Sequence, residues 1–380
     1  SFLKGAFMSI IYENLLEFTW QQGVMILIGA LLIFLAIKKE MEPTLLLPIG
    51  FGTILVNLPN SGAITQVLSN GSVEEGALTT LFDMGIANEL FPLILFIGIG
   101  AMIDFGPLLS NPKLMIFGAA AQFGIFFTLC LASIFFDQSD AASIAIIGAA
   151  DGPTAIVVAN KLKSQFLAPI MVAAYSYMAL VPIIQPPVIR LLTTKEERKI
   201  RMEYSGKEVS KLTKILFPII ITVVAGLIAP ASVSLIGFLM FGNLIRECGV
   251  LNSLSETAQK VLANLITIFL GITIASQMNA EKFLTFNTIL ILLLGLVAFV
   301  FDTAGGVLFA KFLNLFLKKK INPMIGAAGI SAFPMSGRIV HKMGLKEDPQ
   351  NFLLMQSIGV NVSGQIASVI AGGLILNFFM

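Results

Sequence analysis

The sequence predicts an all-α protein that crosses a membrane many times, and two observations support this fold class. The first is composition: of 380 residues, 56% are hydrophobic and only 12% are charged, with a mean hydropathy of +0.90. This composition leaves too little polar surface to cover a soluble globule of this length. The chain is therefore expected to lie in a lipid bilayer.

The second observation is the recurrence of apolar runs along the chain, several of them near the roughly 20 residues that span a bilayer as a helix. These runs cover residues 23–37, 91–103, 114–136, 168–184, 215–240, 261–278, 286–301 and 351–379. Because some runs are short or interrupted, we expect roughly nine to eleven membrane elements.

Charge divides the chain into segments. The stretch at residues 191–213 is the longest basic connection, and loops rich in Lys and Arg stay in the cytoplasm. We predict an N-terminal segment at 1–22, a first membrane repeat at 23–190, the basic cytoplasmic loop at 191–213 and a second repeat at 214–380. The residues before Met8 are expected to be left over from cloning.

Short motifs recur in the same order in the two halves, which favours an internal repeat. The matched pairs are 48–51 with 235–238, 96–100 with 269–272, and 147–153 with 325–331. We interpret them as two related, inverted repeats with broken or re-entrant helices that meet at mid-membrane. Chance likeness between helices rich in Gly and Ala is the alternative.

The last matched pair carries the chemistry. Gly152 and Pro153 follow Asp151, and this order predicts a helix break at the aspartate, because Gly is flexible and Pro lacks the N–H that continues the helix. A carboxylate beside freed main-chain carbonyls suits Na⁺ or a proton. The alternative is a protonated aspartate that is hydrogen-bonded in the core.

The second-half counterpart runs from Asn322 to Ser336 and contains amide and hydroxyl oxygens, glycines and two prolines, but no acid. One charged and one neutral broken helix that cross at mid-membrane are typical of ion-coupled carriers. A further polar stripe comprises Asn361, Ser363, Gln365 and Ser368. Asn361 is the better ligand candidate, and for the two serines helix packing explains the pattern equally well.

Other polar residues admit two interpretations. Asp302 could cap a helix or bind an ion. Tyr177 could anchor the chain at the interface or relay a proton. The two cysteines, Cys130 and Cys248, have no metal-ligand spacing and are expected to be inert packing residues. The single histidine, His341, cannot form a histidine-based metal site by itself.

Five strings together resemble one family over nearly the whole chain. They are GIGAMIDFGPLL (98–109), IGAADGPTAIVVANKL (147–162), YSYMALVPIIQPP (175–187), DTAGGVLFAK (302–311) and NPMIGAAGISAFPMSGR (322–338). They look like the β subunits of the sodium-pumping biotin-dependent decarboxylases, membrane complexes that act on oxaloacetate, methylmalonyl-CoA, glutaconyl-CoA or malonate. The compact length is more similar to the acyl-CoA decarboxylase members.

The resemblance implies that this subunit releases CO₂ from carboxybiotin and exports Na⁺, with a proton taken up from outside. It also implies site residues. The family's catalytic residues fall on Asp151, Tyr177 and Arg338, the last of which also binds carboxybiotin; its Na⁺ ligands fall on Asp151, Asn322, Gly326, Ser331 and Asn361. A protonating role is expected for Tyr177 or Asp151.

The resemblance also implies partners and a location. Carboxybiotin would arrive on a separate biotin carrier protein, loaded by a carboxyltransferase subunit, and a small membrane subunit would complete the complex. Self-association is compatible with the family, and no nucleic-acid partner is expected. The location would be a prokaryotic cell (inner) membrane. The alternative function is a Na⁺-coupled secondary carrier of an organic anion, which could use the same broken helices.

Overall fold

The computed structural model describes residues 16–40, 43–68, 71–204 and 208–380, and they are mainly helical. Among them, seven helices are long and apolar enough to cross a bilayer, or eight if a pair bent by 66° counts as one span. The predicted all-α membrane fold is confirmed. The predicted number of nine to eleven membrane elements is not confirmed. Short and broken helices do not reach the length that a helix needs to cross a bilayer.

Contacts divide the chain into two units. The smaller unit takes in the described residues up to Phe91 together with Leu265–Ile289. It contains α1 (Trp20–Lys39), α2 (Pro43–Val56), a hairpin of two-residue strands β1 (Gln66–Val67) and β2 (Val73–Glu74), and α3 (Ala77–Gly85). Helices α1 and α2 pack closely because both have glycine at the contact: a Cβ added to Gly29 or Gly50 would lie 2.7 Å from the other's carbonyl oxygen.

The larger unit comprises Pro92–Asn264 and Leu290–Met380. The helices from residue 90 onward, most of them in this unit, are α4 (Leu90–Met102), α5 (Gly106–Ser110), α6 (Met115–Ala121), α7 (Phe123–Ala132), α8 (Gln138–Ala145), α9 (Gly152–Lys161), α10 (Leu167–Leu192), α11 (Lys195–Arg198), α12 (Lys211–Ile228), α13 (Val233–Glu247), α14 (Asn252–Glu256), α15 (Ala263–Ile274), α16 (Ala280–Phe283), α17 (Phe286–Leu313), α18 (Met324–Ala327), α19 (Met335–Glu347) and α20 (Leu354–Phe379).

The centre of the larger unit is α20, the most buried of the seven candidate spans. It packs against α5, α6, α9, α18 and α19. Its polar side chains at positions 361, 363, 365 and 368 are all buried. A polar stripe on an apolar helix therefore faces protein, where hydrogen-bond partners exist, and not lipid.

Two helices of this unit are interrupted at the positions that Gly and Pro indicate. The first passes from α8 through a 3₁₀ turn at Ile146–Ala149 to Ala150, whose φ of 52° is left-handed, and α9 then begins at Gly152. The second ends with α18, and an irregular stretch at 328–334 leads to α19. The predicted breaks are observed, whereas the repeat symmetry, its inversion and the depth in the membrane stay predictions.

The basic connection packs against the end of α19. Arg198 forms an ion pair with Glu347 at 2.9 Å, and Arg201 forms one with Asp348 at 2.6 Å. A hydrogen bond from Arg201 holds the pKa of the Asp348 carboxyl below its usual value. The basic loop is thus held in place beside the second broken helix.

Candidate functional site

The Asp151 carboxylate is the centre of the candidate site. Its Oδ2 accepts hydrogen bonds from the Thr154 hydroxyl at 2.7 Å, the Ser368 hydroxyl at 3.0 Å and the Gln365 amide at 3.1 Å. Its Oδ1 accepts one long contact, from the Thr154 N–H at 3.4 Å. The residue is buried, with 3% of its surface exposed. One carboxylate oxygen is therefore saturated, and the other retains capacity to bind a cation.

The local chain conformation explains this arrangement. Asp151 is the N-cap of α9, so the carboxylate faces the free N–H groups and the positive end of the helix dipole. Pro153 stands in the first turn of α9, where its missing N–H costs no helical hydrogen bond. The cap and the three side-chain donors stabilise a charge that the apolar surroundings alone would oppose.

The two broken helices meet directly. The carbonyl oxygen of Ala149 accepts hydrogen bonds from the Ser331 N–H at 3.1 Å and from the Ser331 hydroxyl at 2.9 Å. The turn that precedes Asp151 is thereby bonded to the second break. This juxtaposition brings Ser331, a predicted Na⁺ ligand, to the residues that precede the aspartate.

Helix α20 covers both breaks. The Asn361 amide donates to the Ile330 carbonyl at 2.7 Å, while the Asn361 Oδ1 is buried without a hydrogen-bond partner among the described residues. Asn361 lies four residues before Gln365 and seven before Ser368, so all three share one face of the helix. An unsatisfied amide oxygen on the face that holds Asp151 is a ready ligand for a cation.

Glycines allow this close packing. A Cβ added to Gly364 of α20 would lie 2.0 Å from the carbonyl oxygen of Gly329 in the second break. A Cβ added to Gly326, which is also a predicted ligand, would likewise lie 2.0 Å from the carbonyl oxygen of Gly306 in α17. Any side chain at these positions would push the two contacting main-chain segments apart.

The two tyrosines of α10 occupy different surroundings. The Tyr177 hydroxyl donates a hydrogen bond to the Leu292 carbonyl on α17. The Tyr175 ring instead packs on Gly152, where an added Cβ would lie 2.5 Å from the ring. The Tyr175 hydroxyl is buried and has no partner among the described residues. Tyr175 thus contacts the Asp151 break at Gly152, and the predicted role of Tyr177 stays a prediction.

Asn322 lies at the start of the second broken helix. Its amide donates to the carbonyls of Arg198 and Ile200, both at 2.9 Å, and its oxygen accepts from the Met324 N–H at 3.0 Å. The side chain thereby connects α18 to the basic loop. Its predicted ligand role stays a prediction that depends on the remaining lone pair of the amide oxygen.

Arg338 is exposed on α19, and within the described parts of the chain its guanidinium forms no ion pair. Lys342 and Lys346 follow at intervals of four residues and are also exposed, so the three cations lie along one face. An unpaired guanidinium is suited to bind a carboxylate through two parallel hydrogen bonds.

The sequence analysis missed Thr154 and Gln185, and it named Gln365 and Ser368 without pairing them with Asp151. Thr154, Gln365 and Ser368 donate to Asp151. The buried Gln185 donates to the Ala327 carbonyl at 2.7 Å and to the Ser336 hydroxyl at 2.8 Å. The spacing of 361, 365 and 368 on one helix face was the available signal for part of this set. Nothing in the sequence pairs that face with residue 151.

The chain is similar to known proteins over nearly its whole length. Residues 21–379 match the family model described as Na⁺-transporting oxaloacetate decarboxylase beta subunit. The chain is similar to the methylmalonyl-CoA decarboxylase subunit beta of Propionigenium modestum, with 49% identity over 94% of each chain.

Two further relatives cover almost the full length. The methylmalonyl-CoA decarboxylase subunit beta of Veillonella parvula is 48% identical over 98% of this chain and 97% of its own length. A probable oxaloacetate decarboxylase beta chain of Vibrio cholerae is 46% identical over 97% of both. The chain therefore belongs to the family of β subunits of the Na⁺-transporting decarboxylases, and it is a multi-pass membrane subunit of an enzyme complex.

Proposed function

We propose that this chain releases CO₂ from carboxybiotin and couples that release to the export of Na⁺, with a proton taken up from outside. One observation carries the proposal: the buried Asp151 carboxylate stands where two broken helices meet, with one oxygen fixed by three donors and the other available. Such a group is costly in a membrane unless it binds an ion.

Na⁺ is the transported substrate, and oxygen atoms suit it as ligands. Asp151 supplies the charge, the free Oδ1 of Asn361 supplies a second oxygen, and the Ser331 hydroxyl keeps its lone pairs while it donates to Ala149. Gly326 and Asn322 complete the proposed set through the resemblance. A single negative charge in this set matches the single positive charge of Na⁺.

Carboxybiotin docks at the cytoplasmic face in this proposal. Arg338 binds its carboxylate, and Lys342 and Lys346 extend the basic surface along α19 toward the incoming carrier. The planar guanidinium binds both carboxylate oxygens at once, which a lysine cannot do. The biotin arrives on a separate biotinylated carrier protein, after a carboxyltransferase subunit has loaded it.

Loss of CO₂ leaves the biotin nitrogen in need of a proton. Tyr177 or Asp151 provides it and is refilled from outside. When the proton reaches the Asp151 site, Na⁺ leaves outward, because one buried carboxylate cannot hold both cations. Export of one charge against the membrane potential costs about 2.3 kcal/mol per 100 mV, which decarboxylation supplies.

The length of the chain favours an acyl-CoA as the acid that the complex decarboxylates. The alignment with the Vibrio cholerae oxaloacetate decarboxylase chain runs over 422 positions, more than the 380 residues present here, so that relative has insertions. The alignment with the methylmalonyl-CoA decarboxylase subunit of Propionigenium modestum runs over 373 positions.

We place the complex, with a small membrane subunit, in a prokaryotic inner membrane.

The rival function is a Na⁺-coupled carrier of an organic anion. A carrier needs no biotin protein and moves its solute when it is reconstituted alone. The exposed, unpaired Arg338 on a basic helix face favours the decarboxylase, because it offers a docking point for a carrier-borne carboxylate outside the buried ion site.

The test is uptake of radioactive Na⁺ by proteoliposomes that contain the purified complex. Uptake is measured with methylmalonyl-CoA, malonyl-CoA or oxaloacetate, with and without avidin, for wild type, Asp151→Asn and the control Asp104→Asn. We expect uptake that needs one of these acids, is blocked by avidin and is lost only in Asp151→Asn. Uptake that is insensitive to avidin and is driven by an organic-anion gradient would establish the secondary carrier instead.

A further inference from the structure

A second carboxylate, Asp302, is buried in the larger unit apart from the Asp151 site. It lies in the middle part of α17 with none of its surface exposed. Across the described residues it forms no ion pair. An acid at such a position generally has a function, because an uncompensated charge in the membrane interior is costly.

One oxygen of Asp302 is bound by a main-chain donor. Its Oδ1 accepts a hydrogen bond from the N–H of Ile125 at 3.1 Å. This N–H lies in the first turn of α7 and is also 3.1 Å from the Gln122 carbonyl oxygen, so the two acceptors share it. A donor to the carboxylate stabilises its ionised form.

The other oxygen has no hydrogen-bond partner among the described residues. It faces Gly148 in the turn that leads to Asp151: a Cβ added to Gly148 would lie 2.8 Å from Asp302 Oδ2. The absence of a side chain at Gly148 therefore makes room for the carboxylate. An ionised oxygen in this position would be left both desolvated and unpaired, so it needs a cation.

The surroundings select a proton. A bound metal ion needs several oxygen ligands, whereas a proton needs one. The neighbouring elements bring no further charge. Residues 146–149 are apolar, and α7 has only the exposed Cys130 as a titratable group. Tyr177 of α10 donates its hydroxyl to the Leu292 carbonyl, and Lys311 of α17 pairs with Glu197 at 3.2 Å.

We propose that Asp302 is a proton-binding site that carries an exchangeable proton on Oδ2, facing the turn before Asp151. The Ile125 N–H on Oδ1 makes the ionised form accessible, and burial of Oδ2 favours the protonated one. Because like charges in one apolar region oppose each other, Asp302 holds its proton while Asp151 is ionised.

Infrared difference spectroscopy tests the proposal on the purified complex in lipid nanodiscs. Spectra at acidic and alkaline pH are subtracted, in H₂O and in D₂O, to reveal the carbonyl stretch of a protonated carboxylic acid. The variants are Asp302→Asn, which imitates the neutral acid in size and charge, and Asp151→Asn. We expect a D₂O-sensitive band that is lost in Asp302→Asn and kept in Asp151→Asn.

A band that persists unchanged in folded Asp302→Asn would overturn the proposal, as would the absence of any such band in wild type. If Asp302→Asn does not fold, Asp302→Glu takes its place: a shifted band supports the proposal, and an unshifted band contradicts it. The measurement needs neither biotin nor decarboxylation, so its failure is distinct from a failure of the proposed function.

Discussion

Ala149 and Ser331 join the two helix breaks, since a single carbonyl oxygen of Ala149 accepts both the N–H and the hydroxyl of Ser331. The two residues are 182 positions apart in the chain. The contact bonds the turn before Asp151 to the neutral break. The position of Asp151 therefore depends on a residue of the second half.

Ser331→Ala removes the hydroxyl and keeps the main-chain bond to Ala149. We expect the Na⁺ concentration for half-maximal decarboxylation to rise about tenfold, which corresponds to roughly 1.4 kcal/mol. The measurement is Na⁺-dependent decarboxylation by the complex. The control is Ser357→Ala, which removes a buried hydroxyl bonded to the carbonyls of Gly337 and Leu353. Equal effects of the two variants would refute a role at the ion site.

Ser368→Ala removes one of the three side-chain donors to Asp151 Oδ2. A proton then competes better with Na⁺, because the ionised carboxylate has lost a hydrogen bond. We expect half-maximal uptake to need about tenfold more Na⁺ at mildly acidic pH and a smaller increase at alkaline pH. Ser363→Ala on the same helix is the control, since its hydroxyl bonds the carbonyls of Val360 and Leu114. A pH-independent effect would contradict the argument.

Asn361→Ala removes the amide oxygen that has no partner. We expect weaker Na⁺ binding by about tenfold, of the order of one lost charge-assisted contact, at all pH values. Asn243→Ala is a close match, because the Asn243 amide also donates to a carbonyl, that of Ile103 at 2.9 Å, and its oxygen is also unpartnered. Isothermal titration calorimetry with Na⁺ measures the affinity of both variants. If both variants bind Na⁺ like wild type, Asn361 is not a ligand.

Tyr177→Phe and Tyr175→Phe distinguish the two candidate tyrosines. If Tyr177 protonates biotin, its loss slows CO₂ release by about a hundredfold or more, the usual contribution of a general acid. Tyr175→Phe should keep most of the rate. Single-turnover release of CO₂ from a carboxylated carrier measures both. The reverse result would assign the proton to Tyr175, the tyrosine that packs on Gly152.

Arg338→Lys keeps the charge of the exposed basic face and removes its planar fork. We expect the KM for the carboxylated carrier to rise about tenfold, since a lysine cannot bind both carboxylate oxygens. Lys342→Ala, one turn further along α19, should change it less than twofold. Titration of the carrier in steady-state decarboxylation provides both values. An unchanged KM in Arg338→Lys would place carboxybiotin elsewhere.

The sequence was sufficient for the parts of the fold that depend on local chemistry. Gly152 and Pro153 predict the break at Asp151, because a flexible residue and one without an N–H interrupt a helix wherever they stand together. The apolar runs likewise predict membrane helices from composition alone. Motif resemblance also led to the family that the comparisons confirm.

The partners of the site could not be predicted, because they depend on which helix faces meet. Gln365 and Ser368 reach Asp151 from more than 200 positions away. Tyr175 and Tyr177 are separated by about 200° around α10, at 100° per residue, so their side chains meet different neighbours. The periodicity of an apolar helix does not indicate that Tyr175 packs on Gly152 and that Tyr177 bonds the Leu292 carbonyl.

The contact between Gly306 and Gly326 has a mechanical consequence. Main chains that touch without intervening side chains have no rotamers with which to absorb a displacement. We therefore expect α17 and α18 to move as one rigid body during transport. The contact of Gly364 with Gly329 ties α20 to the second break in the same way, so we expect α20 to move together with this helix pair.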